Sequence, residues 1–154
     1  MEFQIEDYQP AYQPYFEKLN KAWLEEYFKV ETIDRYVLEQ AEDAIIRKGG
    51  KIYFLKSGND IVGTVALRFV EPGVYELTKM AVDKAQRGTG AGQYLCSSTI
   101  AKARELDAHK LILYTNSILK NAIHIYHKLG FTDIPLVSSE YSRSDTKMEL
   151  ILKS

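Results

Sequence analysis

One stretch of this chain, residues 80–92, constrains its fold more than any other. It reads Met-Ala-Val-Asp-Lys-Ala-Gln-Arg-Gly-Thr-Gly-Ala-Gly, and it joins the end of a β-prone run to the start of a helical pattern. Glycine allows a backbone to approach a ligand closely, and the free N–H groups and positive dipole end of a helix N-terminus attract anions. The stretch therefore predicts a cradle for a phosphate or pyrophosphate group.

Two common phosphate-binding motifs do not fit the spacing of these glycines. A P-loop requires Gly-x-x-x-x-Gly-Lys-[Ser/Thr], and no Lys-[Ser/Thr] pair follows here. The dinucleotide fingerprint requires Gly-x-Gly-x-x-Gly on a first strand–helix unit, whereas this chain has Gly-x-Gly-x-Gly after three other predicted strands. A nucleotide-binding enzyme is therefore disfavoured, but it stays open as an alternative.

The composition limits the remaining options. With 154 residues, 45% hydrophobic residues and a net charge of −1, the chain is expected to form a single soluble domain over residues 1–154. The near-neutral charge gives no reason to expect a nucleic-acid partner, and no apolar run reaches the roughly 18 residues of a membrane span. The acidic N-terminus lacks the apolar region of a signal peptide. Cys96 is the only cysteine, which excludes an intramolecular disulfide and predicts a cytoplasmic location.

Hydrophobic periodicity and turn residues predict the order β-α-α-β-β-β-α-β-α-β-β. The predicted strands are residues 2–6, 51–56, 61–70, 74–82, 110–115, 131–137 and 146–152. The predicted helices are residues 11–28, 34–48 with Asp34 as the cap, 90–106 and 118–129. Because a helix connects parallel neighbours, the two crossings after Val82 predict parallel pairing there. The expected fold class is α/β (α+β), a mixed, mostly antiparallel central sheet with helices on both faces.

Two motifs in this order resemble one family. Residues 87–92 form Arg-x-x-Gly-x-Gly, which is similar to the [Gln/Arg]-x-x-Gly-x-[Gly/Ala] acyl-coenzyme A loop of the GNAT N-acetyltransferase superfamily. Residues 121–131 resemble that superfamily's Asn-x-x-Ala-x-x-[Phe/Tyr]-Tyr-x-x-x-Gly-Phe helix, except that Ala122 directly follows Asn121. The element order also matches, so the resemblance covers nearly the whole chain. It implies a GNAT-like fold and direct transfer of an acetyl group from acetyl-CoA to a primary amine of a small molecule or peptide.

The resemblance also implies which residues hold acetyl-CoA, with no metal. Backbone N–H groups of the glycine-rich turn would bind the pyrophosphate, and the residues concerned are Arg87, Gly88, Thr89, Gly90, Ala91 and Gly92. In the superfamily the preceding strand carries a bulge and diverges from the next one, so the pantetheine arm pairs with its backbone at Met80, Ala81 and Val82. Asn116 and Asn121 would contact the cofactor arm. The ordinary alternatives are a core strand for residues 80–82 and a helix-capping region for Asn116.

Two residues are candidates for proton transfer. Tyr126 matches the superfamily tyrosine near the thioester sulfur and would donate a proton to the leaving thiolate. Its alternative role is that of a core aromatic on an apolar helix face. Glu76, on the strand that leads to the cofactor and on the same alternate face as Thr78 and Met80, is the candidate base for an amine whose ordinary pKa is about 10. A water chain, with Glu76 as a solvent-facing carboxylate, is the alternative.

The acceptor side is less constrained. The first two helices normally cover the acceptor cleft in this superfamily, so Trp23 and Tyr27 are predicted to line it, with core packing as the alternative. Tyr141 and Arg143 are predicted to form a loop over the acceptor, where an arginine would suit a carboxylate on an amino acid. A solvated loop is the alternative there. The identity of the acceptor stays open.

Several further possibilities are weighed briefly. His124 and His127 lie three positions apart on one helix without an evident carboxylate or cysteine partner, so no metal site is expected. Cys96 is expected to be a small packed side chain. A homodimer is common among members of the superfamily, but the oligomeric state is not readable from this sequence. A module that binds acyl-CoA without catalysis remains the alternative function.

Overall fold

The structure, a computed structural model, describes residues 2–139 and 141–153. Glu140, within the predicted polar loop before the last strand, lies outside the described residues, as do Met1 and Ser154. The strands are β1 (Phe3–Asp7), β2 (Lys51–Ser57), β3 (Asp60–Glu71), β4 (Val74–Val82), β5 (Lys110–Thr115), β6 (Thr132–Ile134) and β7 (Thr146–Ile151). The helices are α1 (Gln13–Tyr27), α2 (Thr32–Glu39), α3 (Ala91–Glu105) and α4 (Lys120–Lys128). This order is the predicted one.

One seven-stranded sheet has the strand order β1-β2-β3-β4-β5-β7-β6. Only β4 and β5 pair in parallel, and every other neighbouring pair is antiparallel. The predicted mixed, mostly antiparallel fold class is confirmed. The first predicted parallel crossing is also confirmed, but the second is wrong, because β7 lies between β5 and β6. All six residues of β5 pair with β7, whereas the short and largely exposed β6 is suited only to the edge.

Helices cover both faces of the sheet, as predicted. Leu95 on α3 and Tyr126 on α4 belong to the core on one face, while Phe16 on α1 and Leu38 on α2 belong to the core on the other. Side chains of a strand point alternately to the two faces. In the buried middle of β3, Ala66 accordingly faces the second core while its neighbours face the first.

The second helix differs from its prediction. Its N-cap is Glu31, and Asp34 is the third helical residue of a capping box in which Asp34 Oδ2 accepts a hydrogen bond from the Glu31 N–H at 2.9 Å. The predicted Asp34 cap is therefore wrong by three residues. The helix ends at Glu39, and a π-helical turn (Glu42–Ile46) continues to Gly49, whose φ of +94° ends the segment as expected.

Two other elements are shorter than predicted. The strand predicted over residues 131–137 ends at Ile134, because Pro135 follows it and has no N–H to donate to the sheet. The helix predicted from residue 118 begins at Lys120. Asn116 Oδ1 accepts the Ile118 N–H at 2.9 Å, which holds the preceding residues in a turn.

The bulge and the strand divergence implied by the family resemblance are both present. Thr64 pairs with Ala81 and Ala66 pairs with Thr78, so two residues of β4 lie opposite one residue of β3. Lys79, the first bulged residue, has a φ of +55°, which side-chain-bearing residues seldom adopt. In the part of the chain that the structure describes, β4 pairs with β5 only over residues 74–76. The two strands therefore diverge beyond Glu76.

Candidate active site

The divergence of β4 and β5 opens a cavity of about 720 Å³. Its wall combines β4, the glycine-rich turn, the first turns of α3 and α4, the side of α1 and the loop before β7. The predicted site residues that line it are Trp23, Tyr27, Met80, Ala81, Val82, Arg87, Gly88, Gly90, Ala91, Gly92, Asn116, Asn121, Tyr126, Tyr141 and Arg143. Thr89 and Glu76 are the two predicted residues outside it. The fold thus brings most of the predicted residues to one cavity.

The glycine-rich turn presents backbone N–H groups to this cavity. Gly90 is the N-cap of α3 with φ +87° and offers no side-chain cap, so the first N–H groups of the helix lack an intrahelical partner. Gly88 has φ +81°, and a Cβ at either glycine would meet no atom within 4 Å. Backbone conformation rather than space therefore requires glycine here. This arrangement fits an anionic group such as a pyrophosphate.

Arg87 lines the cavity but already has a carboxylate partner. Its Nη1 and Nη2 atoms donate to Glu26 Oε2 and Oε1 at 2.8 and 2.7 Å, and its guanidinium lies 5.8 Å from the centre of the Tyr27 ring. The Arg87 hydrogen bonds hold the pKa of Glu26 below its usual value. No local pattern pointed to Glu26, because the pair is separated by 61 positions. The pair ties α1 to the glycine-rich turn.

Two predicted cofactor residues have polar groups engaged within the protein. Thr89 is exposed and does not line the cavity, and its hydroxyl donates to the Gln86 carbonyl at 2.5 Å. Asn116 lines the cavity, but its Nδ2 donates to the Arg143 carbonyl at 2.6 Å. Together with its contact to the Ile118 N–H, this bond holds Asn116 in the loop before α4, while Leu119 rather than Asn116 is the N-cap of that helix. Asn121, in the first turn of α4, lines the cavity.

Tyr126 is 7% exposed and lines the cavity from α4. Its ring packs edge-on against Phe131, with centroids 5.7 Å apart. Burial, with a smaller contribution from Cys96, raises the pKa of the Tyr126 hydroxyl well above its ordinary 10.0. The hydroxyl therefore keeps its proton at neutral pH and can act as a hydrogen-bond donor to a group in the cavity.

Glu76 lies in a neighbouring cavity of about 300 Å³. It is 3% exposed, and Oε1 accepts from Arg68 Nε and Nη2 at 2.9 and 2.7 Å. Tyr114 and Tyr141 line both cavities and stand between them. Glu76 is separated from the main cavity because β4 is still paired with β5 at this position. Thr78 and Met80, beyond the divergence, do line the main cavity.

A cluster of four charged residues was not predicted from the sequence. Lys79 Nζ donates to Asp34 Oδ1 at 2.7 Å, while Arg143 donates to both Asp34 oxygens at 2.8 and 2.9 Å and to Glu31 Oε2 at 2.9 Å. Asp34 is fully buried, and the Lys79 side chain is 3% exposed. We refer to Lys79, Asp34, Arg143 and Glu31 as the charge cluster. The Glu31-x-x-Asp34 spacing is a capping-box signal, but nothing local links it to Arg143.

Competing effects set the protonation of Asp34. Burial alone would raise the pKa of its carboxyl, but the hydrogen bonds from Arg143 and the positive charge of Lys79 outweigh burial and hold the pKa below its usual value of 3.8. The charge cluster therefore contains two carboxylates and two cations. It pins the loop before β7 to the start of α2.

The aromatic residues predicted for the acceptor side lie on the cavity wall. Trp23 contacts Tyr27 and Phe28 with ring centroids 5.4 and 6.1 Å apart. Tyr141 is 7% exposed, and its ring lies 4.2 Å from Lys79 Nζ and 4.6 Å from the Arg143 guanidinium carbon. Arg143 was predicted to suit an acceptor carboxylate, but both of its Nη atoms already donate to carboxylates of the charge cluster.

Other titratable groups have ordinary structural roles. Cys96 is fully buried, and burial raises the pKa of its thiol from 9.0 to about 12, as expected for a packed side chain. His127 Nε2 lies 2.9 Å from Asp133 Oδ1 on the surface. Residues 2–139 and 141–153 hold no group of three or more metal-ligating side chains. Over the same residues, no helix has both the length and the apolarity to cross a bilayer.

The fold and the cavity agree with a match to one family. The model of the acetyltransferase (GNAT) family matches residues 6–131, and the chain therefore belongs to this family. A crystal structure of a GNAT-family acetyltransferase from Staphylococcus aureus Mu50 has a TM-score of 0.86 at 22% identity, covering 99% of this chain and 100% of that chain. The predicted family and fold are confirmed.

Two further relatives are similar over different lengths. Mycothiol acetyltransferase from Corynebacterium glutamicum strain R is 34% identical over 95 residues, which are 62% of this chain and 32% of that protein. The chain thus spans about a third of the length of this curated relative. The structure of yncA from Salmonella typhimurium, solved with its cofactor acetyl-CoA, has a TM-score of 0.73 at 22% identity and covers 100% of this chain and 96% of that chain.

Proposed function

We propose that this chain is an N-acetyltransferase that transfers an acetyl group directly from acetyl-CoA to a primary amine of a small molecule or peptide. The observation that carries the proposal is the position of the open N-terminus of α3. It borders the same cavity as the divergent edge of β4 and the buried Tyr126 hydroxyl. An anion cradle, an unpaired strand edge and a hydrogen-bond donor are the three parts that a bound thioester cosubstrate requires.

The cofactor would lie along β4 and the glycine-rich turn. Ala91, Gly92 and Gln93 line the cavity at the start of α3, where the first N–H groups of a helix lack intrahelical partners and suit a pyrophosphate. The edge of β4 that faces β5 is open over residues 80–82, where the pantetheine arm can pair with the backbone as an added strand. Acetyl-CoA as the acyl donor is also supported by the acetyl-CoA complex of yncA.

In the transfer step, the amine nitrogen attacks the thioester carbonyl carbon. A C–N bond forms, the C–S bond breaks, and the electron pair of that bond leaves on sulfur. A thiol has an ordinary pKa of about 8.5, whereas burial raises the pKa of Tyr126 above 10.0, so complete proton transfer from Tyr126 to the thiolate is uphill. We therefore assign Tyr126 the role of donating a hydrogen bond that stabilises the developing negative charge on sulfur. The thiolate then takes its proton from solvent.

The proton released by the amine needs an acceptor. Glu76 is the one carboxylate on β4, but Tyr114 and Tyr141 stand between it and the main cavity. A water molecule passing between these two rings would have to relay the proton. The proposal is therefore a water-mediated base, with Glu76 as its terminal acceptor.

The experiment combines calorimetry with acetyl-CoA and a free-thiol release assay over a panel of amines. We expect binding of acetyl-CoA and amine-dependent thiol release. Arg87→Glu should abolish coenzyme binding, because it places negative charge beside the pyrophosphate, and unchanged affinity in that variant contradicts the assignment of the turn. Binding without thiol release for any amine would favour a non-catalytic acyl-CoA module. Tighter binding of ATP or NAD than of coenzyme A would favour a nucleotide-binding protein.

The proposal also includes a cellular location and an oligomeric state. We place the enzyme in the cytoplasm, which the single, buried and protonated Cys96 supports, because a reducing compartment needs no disulfide. A homodimer stays a prediction from the family resemblance. Light scattering on the purified chain gives the mass that decides between monomer and dimer.

A further inference from the structure

We infer that the acceptor is a primary amine attached to an aromatic or similarly apolar group and that it carries no second positive charge. This inference rests on the proposed function, because the cavity must hold the acceptor beside acetyl-CoA. It concerns the part of the cavity away from the glycine-rich turn. We call this part the acceptor end and define it by Trp23, Phe28, Lys79, Tyr141 and Arg143, all of which line the cavity.

The charged side chains on the cavity wall all have the same sign. Among the described residues they are Lys79, Arg87, Lys120 and Arg143. Two of these cations, Lys79 and Arg143, belong to the acceptor end. The net charge of coenzyme A is negative, so such a wall suits the donor. Among the described residues no carboxylate lines this wall, so a second ammonium group of an acceptor would be buried without a counter-charge, which disfavours its binding.

The carboxylates of the charge cluster are not available to a substrate. Asp34 is fully buried, and both of its oxygens accept hydrogen bonds from Lys79 and Arg143. Glu31 accepts from Arg143 and from the Ser142 hydroxyl. The two cations therefore stand between the cavity and Asp34. A second ammonium would have to break a buried ion pair to reach that carboxylate.

Two aromatic rings of the cavity already hold protein cations. The centre of the Tyr141 ring lies 4.2 Å from Lys79 Nζ and 4.6 Å from the Arg143 guanidinium carbon. The centre of the Tyr27 ring lies 5.8 Å from the Arg87 guanidinium carbon. These rings are therefore not open to a cation of the substrate in the way that an aromatic cage is. Trp23 and Phe28, with ring centroids 6.1 Å apart, add flat apolar surface beside them. Such a wall suits a ring on the acceptor.

The test compares three amines at saturating acetyl-CoA by thiol release. n-Butylamine and 1,4-diaminobutane differ by one terminal charge, and 2-phenylethylamine replaces the alkyl end of butylamine by a ring. We expect kcat/KM for 1,4-diaminobutane to be at least about tenfold below that of butylamine, because the wall offers cations and no open carboxylate to its second ammonium group. We expect kcat/KM for 2-phenylethylamine to be about fivefold above that of butylamine, because of ring contacts.

A matched pair of variants tests the cause. Lys79→Met removes one cation and leaves Asp34 with its two bonds from Arg143, so the ratio of kcat/KM for diaminobutane to that for butylamine should rise about tenfold. Lys48→Met is the control, because Lys48 also lies over a tyrosine, 5.7 Å from the Tyr36 ring, but outside the cavity. Its ratio should match the wild type. The ratio from one preparation is independent of the folded fraction, and the wild-type panel decides the question even if Lys79→Met does not fold.

The outcomes separate this inference from the proposed function. A diamine that is as good an acceptor as butylamine, or a ring that gives no advantage, overturns the inference. Thiol release that occurs only with polyamines, or only with acceptors outside the three amines, also overturns it. The inference fails as well if the chain binds acetyl-CoA but acetylates none of the three amines. If any amine causes release of the coenzyme A thiol, the proposed acetyltransferase function stands. Absence of acetyl-CoA binding overturns the proposed function itself.

Discussion

The Arg87 guanidinium donates two parallel hydrogen bonds to the Glu26 carboxylate, at 2.8 and 2.7 Å, and thereby joins the glycine-rich turn to α1. Such a bidentate pair has the same geometry with which arginine binds phosphate. Glu26 is therefore bonded to the same guanidinium that the sequence assigns to cofactor binding. A bound pyrophosphate would compete with Glu26 for Arg87, or would be held by the backbone alone.

Glu26→Gln should strengthen acetyl-CoA binding about fivefold, because it removes a negative charge from Arg87 and makes the guanidinium available to phosphate. Isothermal titration at low salt measures the dissociation constant. Glu25→Gln is the control, since Glu25 is an exposed acid at the preceding position on the same helix. Weaker binding in Glu26→Gln would show instead that the pair orients the turn for the cofactor.

Gly90→Ala and Gly92→Ala should have opposite effects on stability. Gly90 has φ +87°, so a side chain there should lower the free energy of unfolding by about 1 kcal/mol. Gly92 lies within α3, and its added Cβ would be 3.6 Å from the Ile125 side chain, an ordinary contact, so alanine there should raise stability by up to about 1 kcal/mol.

The same pair also tests the cradle. Gly92→Ala should weaken acetyl-CoA binding despite its greater stability, because the Cβ limits the approach of the pyrophosphate to the backbone. Urea unfolding and calorimetry give the two quantities. Gly92→Ala with unchanged affinity would place the pyrophosphate elsewhere.

Tyr126→Phe should lower kcat about a hundredfold and leave the acetyl-CoA dissociation constant within about twofold, because it removes a hydrogen bond that strengthens only as the thiolate forms. Stopped-flow thiol release and calorimetry measure the two effects. Tyr53→Phe is the matched control: Tyr53 is also buried, with its pKa raised to about 12 by burial, but it does not line the cavity. Wild-type turnover in Tyr126→Phe would leave Tyr126 as a core aromatic.

Asp34→Asn should lower the free energy of unfolding by about 3 kcal/mol at pH 7, because it leaves the buried Lys79 and the half-buried Arg143 without their shared carboxylate. Chemical denaturation measures the loss. Asp43→Asn provides the comparison, since Asp43 makes only an exposed pair with Arg47 and its replacement should cost much less. Equal effects of the two substitutions would contradict a structural role of the charge cluster.

The same carboxyl predicts a pH dependence. The pKa of Asp34 is lower in the folded chain than its usual 3.8, so its contribution to stability is fully present above the unfolded pKa and is lost as the pH falls through the lower folded pKa. Unfolding free energies measured from pH 6 down to about pH 2 should therefore fall more steeply for the wild type than for Asp34→Asn. Parallel acid limbs for the two proteins would show that Asp34 does not carry this dependence.

The sequence and the structure agree where the signals are local. Val74–Val82 and Lys110–Thr115 are strands with the predicted bounds, and the glycine-rich turn leads into α3 as expected. These features follow from side-chain periodicity and from glycine conformations within a few neighbouring residues. The disagreement at Asp34 arises because the N-cap, Glu31, lies three residues before it, and the early end of β6 follows from a single proline.

The sequence by itself determined the order of elements, the glycine-rich turn at the start of α3 and the place of Tyr126 on α4, because each depends on a short local pattern. Only the tertiary structure decided that β7 enters between β5 and β6, that Glu26 holds Arg87, and that Tyr114 and Tyr141 stand between Glu76 and the main cavity. It also brought Asp34 and Arg143 together across 109 positions. Such contacts depend on how the elements pack against one another. The free energy that favours this packing comes from the whole core and not from any short stretch of the chain.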